Sequence, residues 1–282
     1  MTPFRATFGA SDNSHTLLYC DSQIEHLSSA LAGLTDRPPG HPGPNEIWWP
    51  SVGCGPVGEW WSLWWTTPDD SYKRAGMVRS EVALWPLTKI SEVEDLTSAM
   101  LEISGLESLT PVDSSFIVTV SEQIINNSGT VLVFEQLEKW PGIIAALWPQ
   151  LWDKAREDFT CRVALSPPSS GHTQHSPKIY AIPRSNAQQW QKPFMKLNCG
   201  ASLATPSRAA WYLSGRADPR IEEVLEALPP QDSSLSYLNR LSRIANHLDL
   251  LDDDTELNSA VALLRTLLSA TTKIEPDHHY IK

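Results

Sequence analysis

The chain concentrates six of its twelve tryptophans between residues 46 and 66. One part of this segment, EWWSLWWTT, alternates as a strand would, so that side chains 60, 62 and 64 face one way and side chains 61, 63 and 65 face the other. Both sets are largely apolar, and the predicted strand is therefore covered on both faces or lines an interface. Most of these rings should belong to the core, because each buries a large area. Tryptophans on both faces of one strand exceed what a single core face needs. A partner-binding patch is therefore also a candidate, formed by Trp60, Trp61, Trp64 and Trp65.

Hydrophobic periodicity in the rest of the chain predicts an α+β fold. Phe4, Ala6 and Phe8 alternate with polar residues as in a half-buried strand, and residues 15–20 are its predicted partner. A glycine-rich turn is predicted at 53–58. Further short strands are predicted at 78–84, 116–120, 130–134, 161–165 and 178–182. We expect a mixed or largely antiparallel sheet of about six to nine strands with helices packed on one side.

Helices are predicted where apolar residues recur every three or four positions. Capping-box patterns begin two of them, at Ser22 with Glu25 and at Ser91 with Glu94. The stripe over 140–152 predicts a helix that Pro149 should kink or split. After residue 200 almost the whole pattern is helical. Asp218 is the predicted cap of one helix, with Pro219 at its first position, and a last helix is predicted near 257–268. We therefore divide the chain into an α+β domain, residues 1–200, and a helical subdomain, residues 201–282.

Composition and charge exclude several classes of protein. The 22 basic and 33 acidic residues give a net charge of −11, which disfavours direct nucleic-acid binding through a basic face. The sequence has no run of about 18 apolar residues, so no membrane span is predicted. The N-terminus lacks the pattern of a secretory signal. The four cysteines form no CxxC pair, and we interpret them as reduced thiols in a cytoplasmic protein.

The motifs of metal and cofactor sites are missing from the sequence, so no metal and no cofactor are predicted. His172 and His175 form an HxxH, but the surrounding proline, serine and glycine indicate a loop rather than a rigid ligand set. The sequence contains no P-loop, no GxSxG elbow and no HExxH. The GCGPVG at 53–58 has an internal proline and flanking tryptophans, which indicate a turn rather than a dinucleotide-binding loop.

Two polar clusters near the N-terminus could carry chemistry. Ser11, Asp12 and His15 are the residue types of a hydrolase triad, but they lie within five positions, and a local turn explains them better. Asp36 and Arg37 follow a predicted helix and begin the proline-rich loop 36–44. They could pin this loop to the body of the protein, or they could bind a carboxylate or phosphate.

Several ordered blocks of sequence are typical of one family. RATFGxSxxxHxLL (5–18), LTDRPPG (34–40), WxLWxTxPD (61–69) and RAGMVxS (74–80) are followed by CRVALSPPS and KIYAIPRSNAQQW. Over roughly residues 3–190 the chain resembles the type-one N-terminal domain of bacterial GTPase-associated proteins. The resemblance implies a role in recognition or assembly beside an NTPase, often a GTPase, in conflict or defence systems. It brings no catalytic residues with it. The polar positions of the family pattern are matched here by His15, Asp36, Arg37, Arg74 and Ser80, which are therefore candidate binding residues.

Two functional hypotheses follow from these observations. We favour a non-catalytic adaptor or recognition subunit of a bacterial NTPase-containing defence complex. Its partner would be a protein, an NTPase or GTPase encoded nearby, and self-association into a homo-oligomer is compatible with this role. The alternative is a hydrolase-type effector that uses His15, Asp36 and Arg37, because these groups can combine acid–base chemistry with anion stabilisation.

Overall fold

A computed structural model describes residues 1–12, 14–43, 46–71, 76–127, 130–168, 178–252, 261, 262 and 265. The strands are β1 Phe4–Ser11, β2 Ser14–Cys20, β3 Ser51–Val57, β4 Trp60–Pro68, β5 Val78–Pro86, β6 Thr130–Phe134, β7 Cys161–Val163, β8 Ile179–Pro183 and β9 Met195–Asn198. They form one sheet in the order β2-β1-β5-β4-β3-β7-β8-β6-β9.

The helices of the described residues are mostly short. They are α1 Ser28–Thr35, α2 Thr97–Ser104, α3 Ser114–Asn126, α4 Trp140–Leu147, α5 Asp153–Asp158, α6 Arg208–Leu213, α7 Pro219–Ala227 and α8 Tyr237–Asp252. Short 3-10 segments lie between these helices and strands, at Ser22–Leu27, Leu87–Glu92, Leu137–Lys139, Trp148–Gln150 and Arg184–Gln189. As predicted, the stripe over 140–152 is interrupted at Pro149, where α4 gives way to a 3-10 turn.

The sheet has an antiparallel half and a parallel half. Strands β2, β1, β5, β4 and β3 pair antiparallel, whereas β7, β8, β6 and β9 all run in one direction. The halves meet at an antiparallel pairing of β3 with β7, where the sulfurs of Cys54 and Cys161 lie 3.2 Å apart. The predicted α+β fold with a mixed sheet is therefore confirmed.

Helices cover both faces of the sheet, so the expectation of helices on one side only is wrong. On one face, α1 and the turn before it pack Ile24 and Leu31 against Phe8 of β1 and Trp64 of β4. On the other face, the residues of β4 that alternate with Trp64 join a larger core with α2, α3, α4 and α5. The strand with two apolar faces thus has a separate hydrophobic cluster on each side.

The glycine-rich segment 53–58 is mostly strand β3, and its prediction as a turn is wrong. Gly53 lies opposite Trp64 in the β3–β4 ladder, and a Cβ at Gly53 would come within 2.3 Å of the indole ring. The same Cβ would lie 2.8 Å from the carbonyl oxygen of Cys161. Only glycine fits here, because the Trp64 ring covers the strand where a side chain would otherwise stand.

The segment FIVTV at 116–120 is also different from its prediction, since it lies inside helix α3. Asp113 caps this helix by accepting a hydrogen bond from the backbone of Ser115 at 2.8 Å. The buried hydroxyls of Thr119 and Ser121 donate to carbonyls one turn earlier, at 2.8 and 2.9 Å. Packing on one apolar face overrides the strand preference of the β-branched residues.

Neither predicted capping box forms. Ser22 and Glu25 lie in a 3-10 turn preceded by Asp21, without a side-chain cap, and Ser91 lies in a second 3-10 turn that ends before α2 begins at Thr97. The tighter 3-10 turns replace the first α-helical turn that the reciprocal bonds of a capping box require. By contrast, Asp218 caps α7 and Pro219 occupies its first turn, as the sequence indicates.

The C-terminal helices share the large core with the sheet. Both α6 and α8 pack against α3, and Leu213, Ile221 and Leu238 belong to the same hydrophobic cluster as Trp61 of β4. The last predicted helix, near 257–268, falls largely outside the described residues. The division of the chain at residue 200 remains a prediction, and strand β9 just before it was not predicted.

Candidate functional site

His15, Thr35, Asp36, Arg37 and Ser80 come together beside the C-terminal end of α1. His15 lies on β2, where its ring stacks on Phe8 at a centroid distance of 5.9 Å. Its Nε2 lies 3.1 Å from the Thr35 hydroxyl at the end of α1. This cluster, which we call the His15 cluster, unites polar residues from two strands and one helix end.

The carbonyl of Thr35 is the centre of a buried hydroxyl network. Ser80 Oγ donates to this carbonyl at 2.6 Å. The hydroxyl of Thr66 lies 3.0 Å from the same carbonyl and 2.8 Å from Ser80, so its single proton can serve either acceptor. A helix end leaves carbonyl groups without partners in the helix, and these strand hydroxyls satisfy one of them. Ser80 therefore joins α1 to the sheet.

The electrostatics of the cluster favour the neutral form of His15. Burial lowers the pKa of His15 below its ordinary value of 6.5, while the Asp36 carboxylate and a backbone contact at Val78 act in the opposite direction and do not cancel this effect. Asp36 is exposed and its Oδ1 accepts a hydrogen bond from the Arg37 backbone at 2.7 Å. A neutral imidazole next to a carboxylate has the protonation state of a general base.

Arg37 anchors the proline-rich loop. Its guanidinium lies over the ring of Trp48, 5.6 Å from the centroid. Farther along the loop, the carbonyl of Pro39 accepts a hydrogen bond from the Leu165 backbone at 3.2 Å, and the carbonyl of His41 accepts one from Asn186 at 2.9 Å. Loop 36–43 is thus attached to the segments that follow β7 and β8.

The hydroxyl groups in and beside the cluster are inaccessible to a substrate. Thr35, Thr66 and Ser80 are fully buried and hydrogen-bonded, so none of them is an accessible nucleophile. Ser11 and Asp12 form the end of the β1–β2 hairpin, where Asp12 has a φ of 49°. That conformation is typical of a tight turn and agrees with the local interpretation of this segment.

The tryptophan cluster is part of the core. Trp61, Trp64 and Trp65 are only 0, 4 and 7% exposed. Trp60 is half-buried beside Phe4, with ring centroids 5.0 Å apart. These rings fill the two clusters on either face of β4, and their burial gives no support to the candidate binding patch.

Some predicted residues cannot be placed, and some residues of the cluster were not predicted. Arg74, His172 and His175 lie outside the described residues. Thr35 was not named as a candidate binding residue, and neither were Thr66 and Trp48, which contact Thr35 and Arg37 of the cluster. The only hint in the sequence was the position of Thr35 directly before Asp36. Among the described residues no group of three or more His, Cys, Asp or Glu side chains could hold a metal ion.

Residues 2–103 match the family described as GTPase-associated protein 1, N-terminal domain type 1. This segment contains the antiparallel half of the sheet, α1, α2 and the whole His15 cluster. No curated protein matches the chain. Within the part of the chain that the structure describes, no helix has the length and apolar character needed to cross a bilayer.

Proposed function

We propose that this chain is a non-catalytic recognition or adaptor subunit of a bacterial defence complex that contains a GTPase or a related NTPase. The observation that carries the proposal is the match of residues 2–103 to the N-terminal domain of a GTPase-associated protein. The His15 cluster supports it, because the buried hydroxyls there tie α1 to the sheet and leave no open nucleophile.

The partner would dock at the edge of the sheet formed by β2. Among the described strands, β2 pairs with β1 alone, so its outer backbone groups are free to pair with a strand of another protein. Leu18 and Tyr19 of this strand are large hydrophobic residues that are 46 and 58% exposed. An exposed edge with apolar side chains is a recurrent site for adding a partner strand.

Affinity purification of the tagged full chain from its native host, followed by mass spectrometry, tests the proposal. We expect a GTPase or related NTPase in stoichiometric amount. Leu18→Asp should abolish its recovery, because a charge at the centre of an interface is strongly unfavourable. Leu106→Asp is the matched control, since Leu106 is 48% exposed and follows α2.

Two outcomes would count against this proposal. Recovery of the chain without any NTPase would contradict the role as a subunit. Recovery of the NTPase with both variants would place the interface away from β2, while leaving the role itself intact. Circular dichroism of each variant shows whether the fold is retained.

The second candidate remains the hydrolase-type effector built on His15, Asp36 and Arg37. The lowered pKa of His15 and the nearby Asp36 favour it, since they provide a neutral base beside a carboxylate. The nucleophile would have to be water or a group of the substrate, because the hydroxyls of the cluster are buried. Toxicity of the free chain that is unaffected by His15→Ala would exclude this candidate.

A further inference from the structure

A cavity of about 540 Å³ opens at the carboxyl ends of two neighbouring parallel strands. The cavity is lined by residues 135–138, which directly follow β6, and by Arg184 and Ser185, which directly follow β8. Its third wall comes from Gly43, Glu46, Ile47 and Trp49. It lies outside the His15 cluster, and it combines one wall from the segment that matches the family with two walls from beyond that segment.

The topology explains why a crevice forms at this place. The chain leaves β6 through α4 and α5, which pack with Leu132 and Phe134 on one face of the sheet, and continues to β7. It leaves β8 on the opposite face, where Trp190 packs with Val131 and Val133, and continues to β9. Two adjacent parallel strands whose connections depart to opposite faces make a topological switch point, which is the general ligand-binding position in open parallel sheets.

The walls of the cavity are fixed by hydrogen bonds before any ligand arrives. The Glu46 carboxylate accepts from the backbone of Gly43 at 3.3 Å and from the backbone of Ser185 at 3.2 Å. Asn186, which is fully buried, donates to the carbonyls of His41 and Leu165 at 2.9 and 2.7 Å. These bonds hold His41 and Glu46 against the segment that follows β8, and a cavity of this size with formed walls is suited to a small molecule.

The charges of the lining select the class of ligand. The lining carries one guanidinium, that of Arg184, which already pairs with Glu135. Two further carboxylates, those of Glu46 and Glu138, also line the cavity. Anionic ligands such as nucleotides are therefore repelled. The exposed side chains of Ile47 and Trp49, at 49 and 37%, provide an apolar and aromatic wall. Carboxylates together with an indole face are the groups that bind organic cations.

We infer that this cavity binds a small organic cation, a guanidinium or an alkylammonium with an apolar chain. Its charged head lies between Glu46 and Glu138, and its chain packs on Ile47 and Trp49. The inference is independent of the proposed function, because it does not involve strand β2 and requires no protein partner.

An NMR titration of the full chain with two isosteric probes tests the inference. Butylguanidinium carries the cation, and butylurea has nearly the same shape without the charge. We expect butylguanidinium to bind in the millimolar range and butylurea to bind about tenfold more weakly, the equivalent of one charge-assisted hydrogen bond. Glu138→Gln should weaken butylguanidinium about tenfold, and Trp49→Ala should weaken both probes. Glu107→Gln, at an exposed glutamate after α2, should change neither.

Three results would overturn the inference. The first is equal affinity for the two probes, which would show that the cavity does not discriminate between a cation and a neutral molecule. The second is binding of butylguanidinium that both Glu138→Gln and Trp49→Ala leave unchanged, which would place the ligand elsewhere. The third is binding of a blocked arginine peptide without binding of butylguanidinium, which would show that the cavity recognises a protein chain rather than a free cation.

Discussion

His15 is subject to opposing electrostatic effects that give stability a defined pH dependence. Burial lowers its pKa and Asp36 raises it, with a net lowering from 6.5. The folded protein therefore binds this proton less readily than the unfolded chain does. The contribution to stability is fully present above the unfolded pKa, and it is lost as the pH falls through 6.5 toward the lower pKa of the folded state.

His15→Gln should reduce this pH dependence, because glutamine can still bond the Thr35 hydroxyl but does not titrate. Between about pH 7.5 and about pH 5.5, we expect the wild-type melting temperature to fall more than that of the variant. Thermal denaturation followed by circular dichroism measures the difference. His26→Gln, at an exposed histidine, is the control, and an equal fall in wild type and His15→Gln would refute the assignment.

At the scale of elements, one arginine links the three described C-terminal helices. Arg208 of α6 binds the carboxylate of Asp218, the cap of α7, through Nε and NH2 at 2.6 and 2.8 Å. Its NH1 donates to Asp249 of α8 at 2.5 Å. The hydrogen bond from Arg208 lowers the pKa of Asp218, and Asp218 also accepts from the Ile221 backbone at 3.1 Å. The cap and the ion pairs therefore depend on each other.

Arg208→Gln should lower the free energy of unfolding by about 2 kcal/mol, because it leaves the partly buried carboxylate of Asp218 without its cation, whereas Asp249 keeps its pairing with Arg220. Urea denaturation at neutral pH measures this loss. Arg243→Gln, at an exposed arginine of α8, should cost less than about 0.5 kcal/mol. A similar loss in both variants would mean that the effect reflects general charge rather than this link.

Elements were predictable where the chain carries its own pattern. Alternation identified β1, and an aspartate followed by proline identified the start of α7. Strand β3 was missed because its glycines fit under a ring that another strand supplies, and α3 was missed because packing outweighs its β-branched residues.

The candidate sites show the same contrast. His15, Asp36, Arg37 and Ser80 were singled out and do lie together, but the Thr66 hydroxyl required knowledge of which strands are neighbours. The cavity at β6 and β8 could not be predicted at all, because it depends on the order of strands in the sheet.

At the scale of the whole molecule, one hydrophobic core crosses every boundary that the sequence suggests. It contains Trp61 of β4, Leu132 of β6 and Leu238 of α8. The two halves of the sheet and the C-terminal helices should therefore unfold together as one cooperative unit.

Leu238→Ala tests this cooperativity. The side chain is fully buried, and its truncation should cost about 2–5 kcal/mol by leaving a cavity. We expect one transition in both tryptophan fluorescence and far-UV circular dichroism, shifted equally in the two signals. Two separate transitions, of which the substitution shifts only one, would instead support an independent helical subdomain after residue 200.

The contact of Trp61 with Trp148 bears on whether residues 2–103 can fold outside this chain. The two ring centroids lie 4.7 Å apart, and Trp148 belongs to the part of the chain beyond the family match. Residues 2–103 alone would leave Trp61, Trp65 and Trp85 without much of their covering layer. The segment that matches the family is thus smaller than the unit that folds. Any other protein that carries this segment must supply its own apolar residues to cover these rings.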